Sequence, residues 1–153
     1  MEIYKAFKVE IDPNNSQRTA LVQHAGVARW TYNLGLEKKK KAFELKEKVP
    51  SAISLNAELI LLKKVSLEEG GFPWLSEVSK CVPQESLKDL DKAFQNFFRK
   101  CKQKQPGKKG FSKFKSKHKD PLKFKLRGTI RVSEDGRHVQ LPRLGLIKLK
   151  GRK

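Results

Sequence analysis

Acidic side chains almost vanish from the last third of this sequence. Residues 99–153 hold 3 Asp+Glu against 20 Lys+Arg, whereas residues 1–98 hold 13 against 15. Metal-dependent hydrolysis of a phosphodiester needs several carboxylates converging on divalent cations. The basic segment offers only Asp120, Glu134 and Asp135, the last two in an expected hairpin tip. Asp12 stands just before Pro13, where a turn accounts for it. No nucleophile motif, phosphate loop or metal-ligand spacing occurs. Nothing argues for catalysis by this chain alone, and no cofactor is expected in it.

Cysteine and histidine are equally sparse. Cys81 and Cys101 form no C-x-x-C pair, and His24, His118 and His138 are scattered singly. Neither a disulfide framework nor a zinc site is indicated, and both thiols are read as core residues. No apolar run approaches the roughly 18 residues of a membrane span, and the N-terminus lacks the apolar core of a signal peptide. A cytoplasmic protein without membrane contact is expected.

What is present is positive charge, +19 in 153 residues. A field concentrated in one third of the chain attracts polyanions and releases their condensed counterions, which makes nucleic acid the leading partner class. An anionic membrane would call for one continuous amphipathic helix in the basic part, and none is legible there.

Residues 3–11 alternate, with Ile3, Phe7, Val9 and Ile11 on one side, which predicts a half-buried strand. D-P-N-N-S then turns the chain, with Asn15 or Ser16 as helix cap. Helical spacing follows at Leu21, Ala25, Ala28, Tyr32 and Leu36, with Trp30 widening the stripe and Gly26 marking a close crossing or a break. Lys38 to Lys41 read as a solvated helix face ahead of phosphate contacts. Leu55, Leu59 and Leu62 predict a shorter helix, G-G-F-P a loop, and Trp74 and Leu75 a return into the core.

Leu87, Leu90, Phe94, Phe97 and Cys101 then form the longest helical stripe, with Pro83 near its start. Free N–H groups around Lys80 to Gln84 would favour an anion there. After a basic linker, the last third is β-like: Leu122, Phe124 and Leu126 alternate with lysines, Asp135-Gly136 signals a hairpin, and residues 144–150 form a last strand. That strand ends the chain as though a domain were incomplete. Lys108, Lys109, Lys113, Lys115, Lys117, Lys123 and Lys125 are candidates for backbone phosphates. Phe111 and Phe114, interleaved with cations, are candidates for base stacking, with core packing an even alternative.

Seven pieces in order resemble the N-terminal part of the TnpB family of transposon-encoded RNA-guided DNA endonucleases, related to compact type V CRISPR effectors. They are K-A-F-K-V-E-I-D-P-N, G-V-A-R-W-T-Y-N-L-G-L, E-L-I-L-L-K-K, W-L-S-E-V-S-K, S-L-K-D-L-D-K-A-F-Q-N-F-F-R, G-F-S-K-F-K-S-K and L-P-R-L-G-L-I-K-L-K-G. The resemblance implies an α+β fold: an oligonucleotide-binding-like β-barrel, the wedge domain, here incomplete and interrupted by an inserted helical recognition bundle. Residues 1–15 would be the first wedge strand, 16–105 the recognition helices, and 106–153 the basic linker and remaining wedge strands. The partners implied are a guide RNA derived from a transposon end and duplex target DNA carrying a short transposon-adjacent motif. A RuvC-like nuclease, in which divalent metal would be expected, lies outside this chain and could be a separate polypeptide.

Matched by position, Lys80 and Gln84 would read the DNA motif, joined by Asn56 and, less securely aligned, Arg127 and Thr129. Departures from the family pattern fall at Cys81, Ala52 and Pro83. Lysine donates to base edges and glutamine both donates and accepts, so two such residues one helical turn apart can span neighbouring bases. Two alternatives stand beside this reading. One is a stand-alone regulator with residues 16–48 as a helix-turn-helix; the other is a structural RNA-binding protein that uses the basic tail alone.

Overall fold

The computed structural model describes residues 2–104 and 110–151. Among them are α1 (Asn15–Glu44), α2 (Ala52–Leu62), a 3-10 turn (Pro73–Glu77) and α3 (Cys81–Lys102). Four short strands complete the elements: β1 (Ile11–Asp12), β2 (Arg131–Val132), β3 (His138–Leu141) and β4 (Gly145–Leu149). They pack as two units, one holding the residues up to Leu21 and those from Arg127 on, the other Val22–Leu126. The expected boundary lay near residues 105–106; instead residues 110–126 pack with the helices.

Helix α1 begins at a reciprocal cap that differs from the expected one. The Gln17 N–H donates to Asn14 Oδ1 at 2.9 Å and the Asn14 N–H donates to Gln17 Oε1 at 3.0 Å, so Asn14 is the capping residue. The helix then runs unbroken for 30 residues. Residues 16–48 therefore form no pair of helices with a turn between them, and the geometry required by the regulator alternative is not formed there.

In the helical unit the periodic residues are the buried ones. Ala25, Ala28, Tyr32 and Leu36 of α1 are buried, as are Leu55 and Leu59 of α2 and Leu87, Leu90 and Phe94 of α3. The close crossing falls at Gly35, where an added Cβ would lie 2.8 Å from Leu90 Cδ2 and 2.9 Å from Leu87 Cδ2. Gly26, the expected position, has open space around it. Trp30, Phe72 and Trp74 pack edge-on with centroids 4.7 to 6.0 Å apart, and Leu75 is fully buried, as the return of this loop to the core predicts.

The four-lysine run divides into different roles. Lys38 pairs with Glu58 at 2.6 Å. Lys39, only 4% exposed, reaches Asp91 Oδ1 at 2.5 Å and donates to the Pro50 carbonyl at 2.7 Å. The other oxygen of Asp91 accepts the Ala52 N–H at 2.9 Å. One ion pair thus joins α1 and α3 and anchors the start of α2. Lys40 and Lys41 remain on the surface.

In the second unit the four strands form an open antiparallel sheet of order β1-β4-β3-β2. The Asp135-Gly136 turn forms as expected between β2 and β3, with Gly136 at φ +70°. Ile147 is fully buried and Leu144 nearly so, and the Gln17 side-chain amide donates to the Leu146 carbonyl at 2.7 Å.

The expected strand over residues 3–11 is paired only at Ile11 and Asp12, opposite Leu149 and Lys148. The Lys150 N–H still reaches the Glu10 carbonyl at 3.0 Å. Before Glu10, no strand lies beside the chain among the described residues, so Ile3 and Phe7 stay 76% and 81% exposed. The alternation at residues 122–126 also has a different origin from the expected strand. An extended segment lies on the helical unit without a ladder, Phe124 and Leu126 turn into the core, and Leu122, Lys123 and Lys125 stay outside.

Candidate nucleic-acid interface

The motif-reading candidates fall in both units. Lys80 is exposed at the N-cap of α3 and Gln84 half-buried one turn later, on a helix packed against the helix of half-buried Asn56. Arg127 and Thr129 are exposed in the sheet unit, on either side of Gly128 at φ +121°.

The start of α3 is held from beneath. Buried His24 accepts the Ser79 N–H at Nε2, 3.2 Å away, and its ring packs on Phe124. Acceptance at Nε2 fixes the neutral tautomer that carries its proton on Nδ1. The Cys81 N–H donates to Ser79 Oγ at 3.3 Å and the Val82 N–H to the Ser79 carbonyl at 3.1 Å, while Pro83 has no N–H. The expected anion seat at this helix start is therefore largely occupied by the chain itself. What remains for a ligand is the side chains.

The basic segment after residue 110 lies on the helices as a strap. Asn33 of α1 holds it through the backbone: its Oδ1 accepts the Lys115 N–H at 2.7 Å and its Nδ2 donates to the Lys115 carbonyl at 2.9 Å. Nothing in the sequence reading marked Asn33. The available signal was a residue of low helix propensity in the middle of a long helix, which needs a side-chain task to justify its place.

The stacking candidates separate along this strap. Phe111 packs edge-on against Phe94 and Phe97, with centroids 5.5 and 5.1 Å away, as a core anchor. Phe114 is 51% exposed, with the Lys40 ammonium 6.0 Å from its ring centre. A cation beside an exposed ring is the arrangement that accepts a stacked base and its phosphate.

The cations differ as much. Lys113, Lys117 and Lys123 are exposed, and Lys125 pairs with Asp89 at 2.8 Å. The Lys115 ammonium sits 4.2 Å over the Tyr32 ring. Its pKa is lowered, first by burial and then by the charge of Lys123, against which Asp89 and Asp120 act. Lys108 and Lys109 lie outside the described residues. Among the described residues no three His, Cys, Asp or Glu side chains come together as a metal site. Among the same residues no helix is long and apolar enough to cross a membrane.

Comparison with known proteins gives the class first. Residues 1–48 match HTH_OrfB_IS605, a helix-turn-helix domain family, which points to DNA binding. In this chain the matched residues that are described hold β1 and one uninterrupted helix. Two curated relatives narrow the class. "Putative RNA-guided DNA endonuclease InsQ" of Escherichia coli (strain K12) is 25% identical over 150 residues, covering 98% of this chain and 34% of the relative. "Putative RNA-guided DNA endonuclease" of Streptomyces pristinaespiralis is 35% identical over 99 residues, covering 65% of this chain and 24% of the relative. The matches support the resemblance read from the sequence: the chain corresponds to the N-terminal portion of a TnpB-family protein. It spans about a third of the first relative's length.

Proposed function

We propose that this chain binds a guide RNA and a target DNA duplex for an RNA-guided endonuclease, and that the start of α3 reads a transposon-adjacent motif. The observation that carries the reading is alignment of 98% of the chain with a relative named as such an endonuclease. The structure supports it with a surface: a strap of lysines fixed on α1, one exposed phenylalanine within it, and Lys80 and Gln84 displayed on a rigid helix start. The sheet, open on its β1 and β2 edges among the described residues, would be part of an oligonucleotide-binding-like barrel. The cutting step belongs to a RuvC-like nuclease outside these 153 residues, and any divalent metal would act there.

The decisive experiment is to sequence the nucleic acid that copurifies with the chain and then measure duplex binding with and without that RNA. A noncoding RNA from a transposon end, together with motif-dependent DNA binding, is expected. Lys80→Ala and Gln84→Ala should weaken motif-containing duplexes by about 1–3 kcal/mol and leave RNA binding in place. Equal loss on all nucleic acids would reduce both residues to general phosphate contacts. Tight duplex binding with no RNA at any stage would refute the guide-RNA part.

A further inference from the structure

Where the strap crosses α1, its residues and the helix line a small cleft that opens to solvent. Ala25, Ala28 and Arg29 line the helix side; Lys115, Asp120 and Lys123 bring the charges of the strap side. Three cations face one carboxylate. Asp120 is already engaged, since its Oδ2 accepts the Ser116 N–H at 2.5 Å and its own N–H donates to the Ser116 carbonyl, closing the turn. Neither Arg29 nor Lys123 forms an ion pair with another described residue.

Bringing like charges together costs free energy in the cleft; Lys115, whose pKa is lowered first by burial, also feels the charge of Lys123. A bound anion would turn that cost into attraction. The strap is also not free to move its charges apart, because Asn33 fixes both backbone groups of Lys115. Next along the strap, Phe114 shows its ring to solvent beside Lys40. Stacking on that ring requires an unpaired base.

We propose that this cleft is a phosphodiester-binding site for a single-stranded stretch of nucleic acid, with Arg29 as its central contact. The site deepens the nucleic-acid reading above and rests on it. Arginine is suited to the role because its planar fork can donate two parallel hydrogen bonds to phosphate oxygens. Lys123 adds a second charge from the opposite wall. Asp120 opposes the anion and shapes the strap turn rather than the contact.

The test titrates the full chain with a fluorescein-labelled single-stranded RNA at several salt concentrations. It compares Arg29→Gln and Lys123→Gln with Lys92→Gln, a lone exposed lysine of α3. Arg29→Gln should weaken binding about 5- to 30-fold at low salt and lower the slope of log K against log salt by about 0.7, the value for one phosphate on a single strand. Arg29→Lys should restore most of the slope. Lys123→Gln, on the surface where folding is not at stake, should give a smaller loss in the same direction, and Lys92→Gln less than 2-fold. Equal losses in Arg29→Gln and Lys92→Gln would overturn the site.

A second arm uses inorganic phosphate alone and follows the backbone amides of Lys115 and Lys123 by NMR. Weak, saturable shifts that vanish in Arg29→Gln are expected, because free phosphate offers the same oxygens without the strand. If the wild type binds no RNA yet shows those shifts, the nucleic-acid reading fails and the cleft is a free-phosphate site, which overturns this proposal. Absence of shifts, with Arg29→Gln binding RNA like the wild type, overturns it as well.

Discussion

The helical unit and the sheet unit solve the same problem, hiding apolar surface, to very different extents. In the helices the stripe residues at the crossing meet others from the same unit, with Leu36, Leu87 and Leu90 at most 1% exposed, although Phe43, Ile53 and Leu61 stay in solvent. In the sheet unit full burial is reached at Ile147, while Ile3, Tyr4, Phe7, Val9 and Val132 stand in solvent. A helix satisfies its own backbone and needs only a face to pack against, whereas a strand needs a neighbour for its backbone as well. The helical unit should therefore hold most of the stability.

The largest effect is expected at the ion pair that joins the helices. Asp91→Ala leaves the Lys39 ammonium buried with the Pro50 carbonyl and, 5.3 Å away, the Phe94 ring, and frees the start of α2. Removing one member of such a pair should cost about 3 kcal/mol, read as a shift in urea midpoint with little change in slope. A loss below about 1 kcal/mol would mean that the pair is well hydrated and that the contrast between the units is smaller than drawn.

Two glycines of α1 give the next effect, with opposite signs. Gly35→Ala must displace Leu87 and Leu90 and should destabilise by about 1–2 kcal/mol despite the gain in helix propensity. Gly26→Ala enters open space and should stabilise by about 0.5–1 kcal/mol. Thermal melts of both variants would check this, and stabilisation by both would show that the helices are not in close contact at Gly35. In the sheet unit the matching substitution, Phe7→Ser, should change stability by less than about 0.5 kcal/mol, since that ring is already in water.

These contrasts also explain what could be read in advance. The helices were legible because a period of 3.6 carries its own evidence, and the buried set of α1 and α3 follows it from Ala25 to Leu36 and from Leu87 to Phe94. The hairpin was legible from Asp135-Gly136 because that turn is local. The alternating pattern at residues 3–11 predicts a half-buried strand, yet only Ile11 and Asp12 are paired, because alternation does not say whether a strand lies beside the chain. At residues 122–126 alternation reads as a strand, whereas the segment lies extended on the helical unit, since period 2 describes an extended backbone and not a ladder. Of the interface, the lysines and Phe114 were visible as composition. Arg29, Asn33 and His24 were not, because their tasks depend on segments that return more than 50 residues later in sequence, the strap for Arg29 and Asn33 and the start of α3 for His24.

The smallest expected effect lies at the tip of the β2–β3 hairpin, the best-formed local feature of the sheet unit. The Asp135 carboxylate accepts the Ser133 hydroxyl and the Arg137 N–H, and both bonds favour its charged form. Its pKa is lowered, first by Ser133 and then by Arg137. A depressed value in the folded state means that the carboxylate supports the turn at every pH above its unfolded pKa, and that this support fades as pH falls through the folded value. The Arg137 amide resonance should therefore titrate with a midpoint below the ordinary aspartate value of about 3.9, and Asp135→Asn should abolish the transition. The group is fully exposed, so global stability should barely register the change. A midpoint at or above the ordinary value would show that the tip is not held by these bonds.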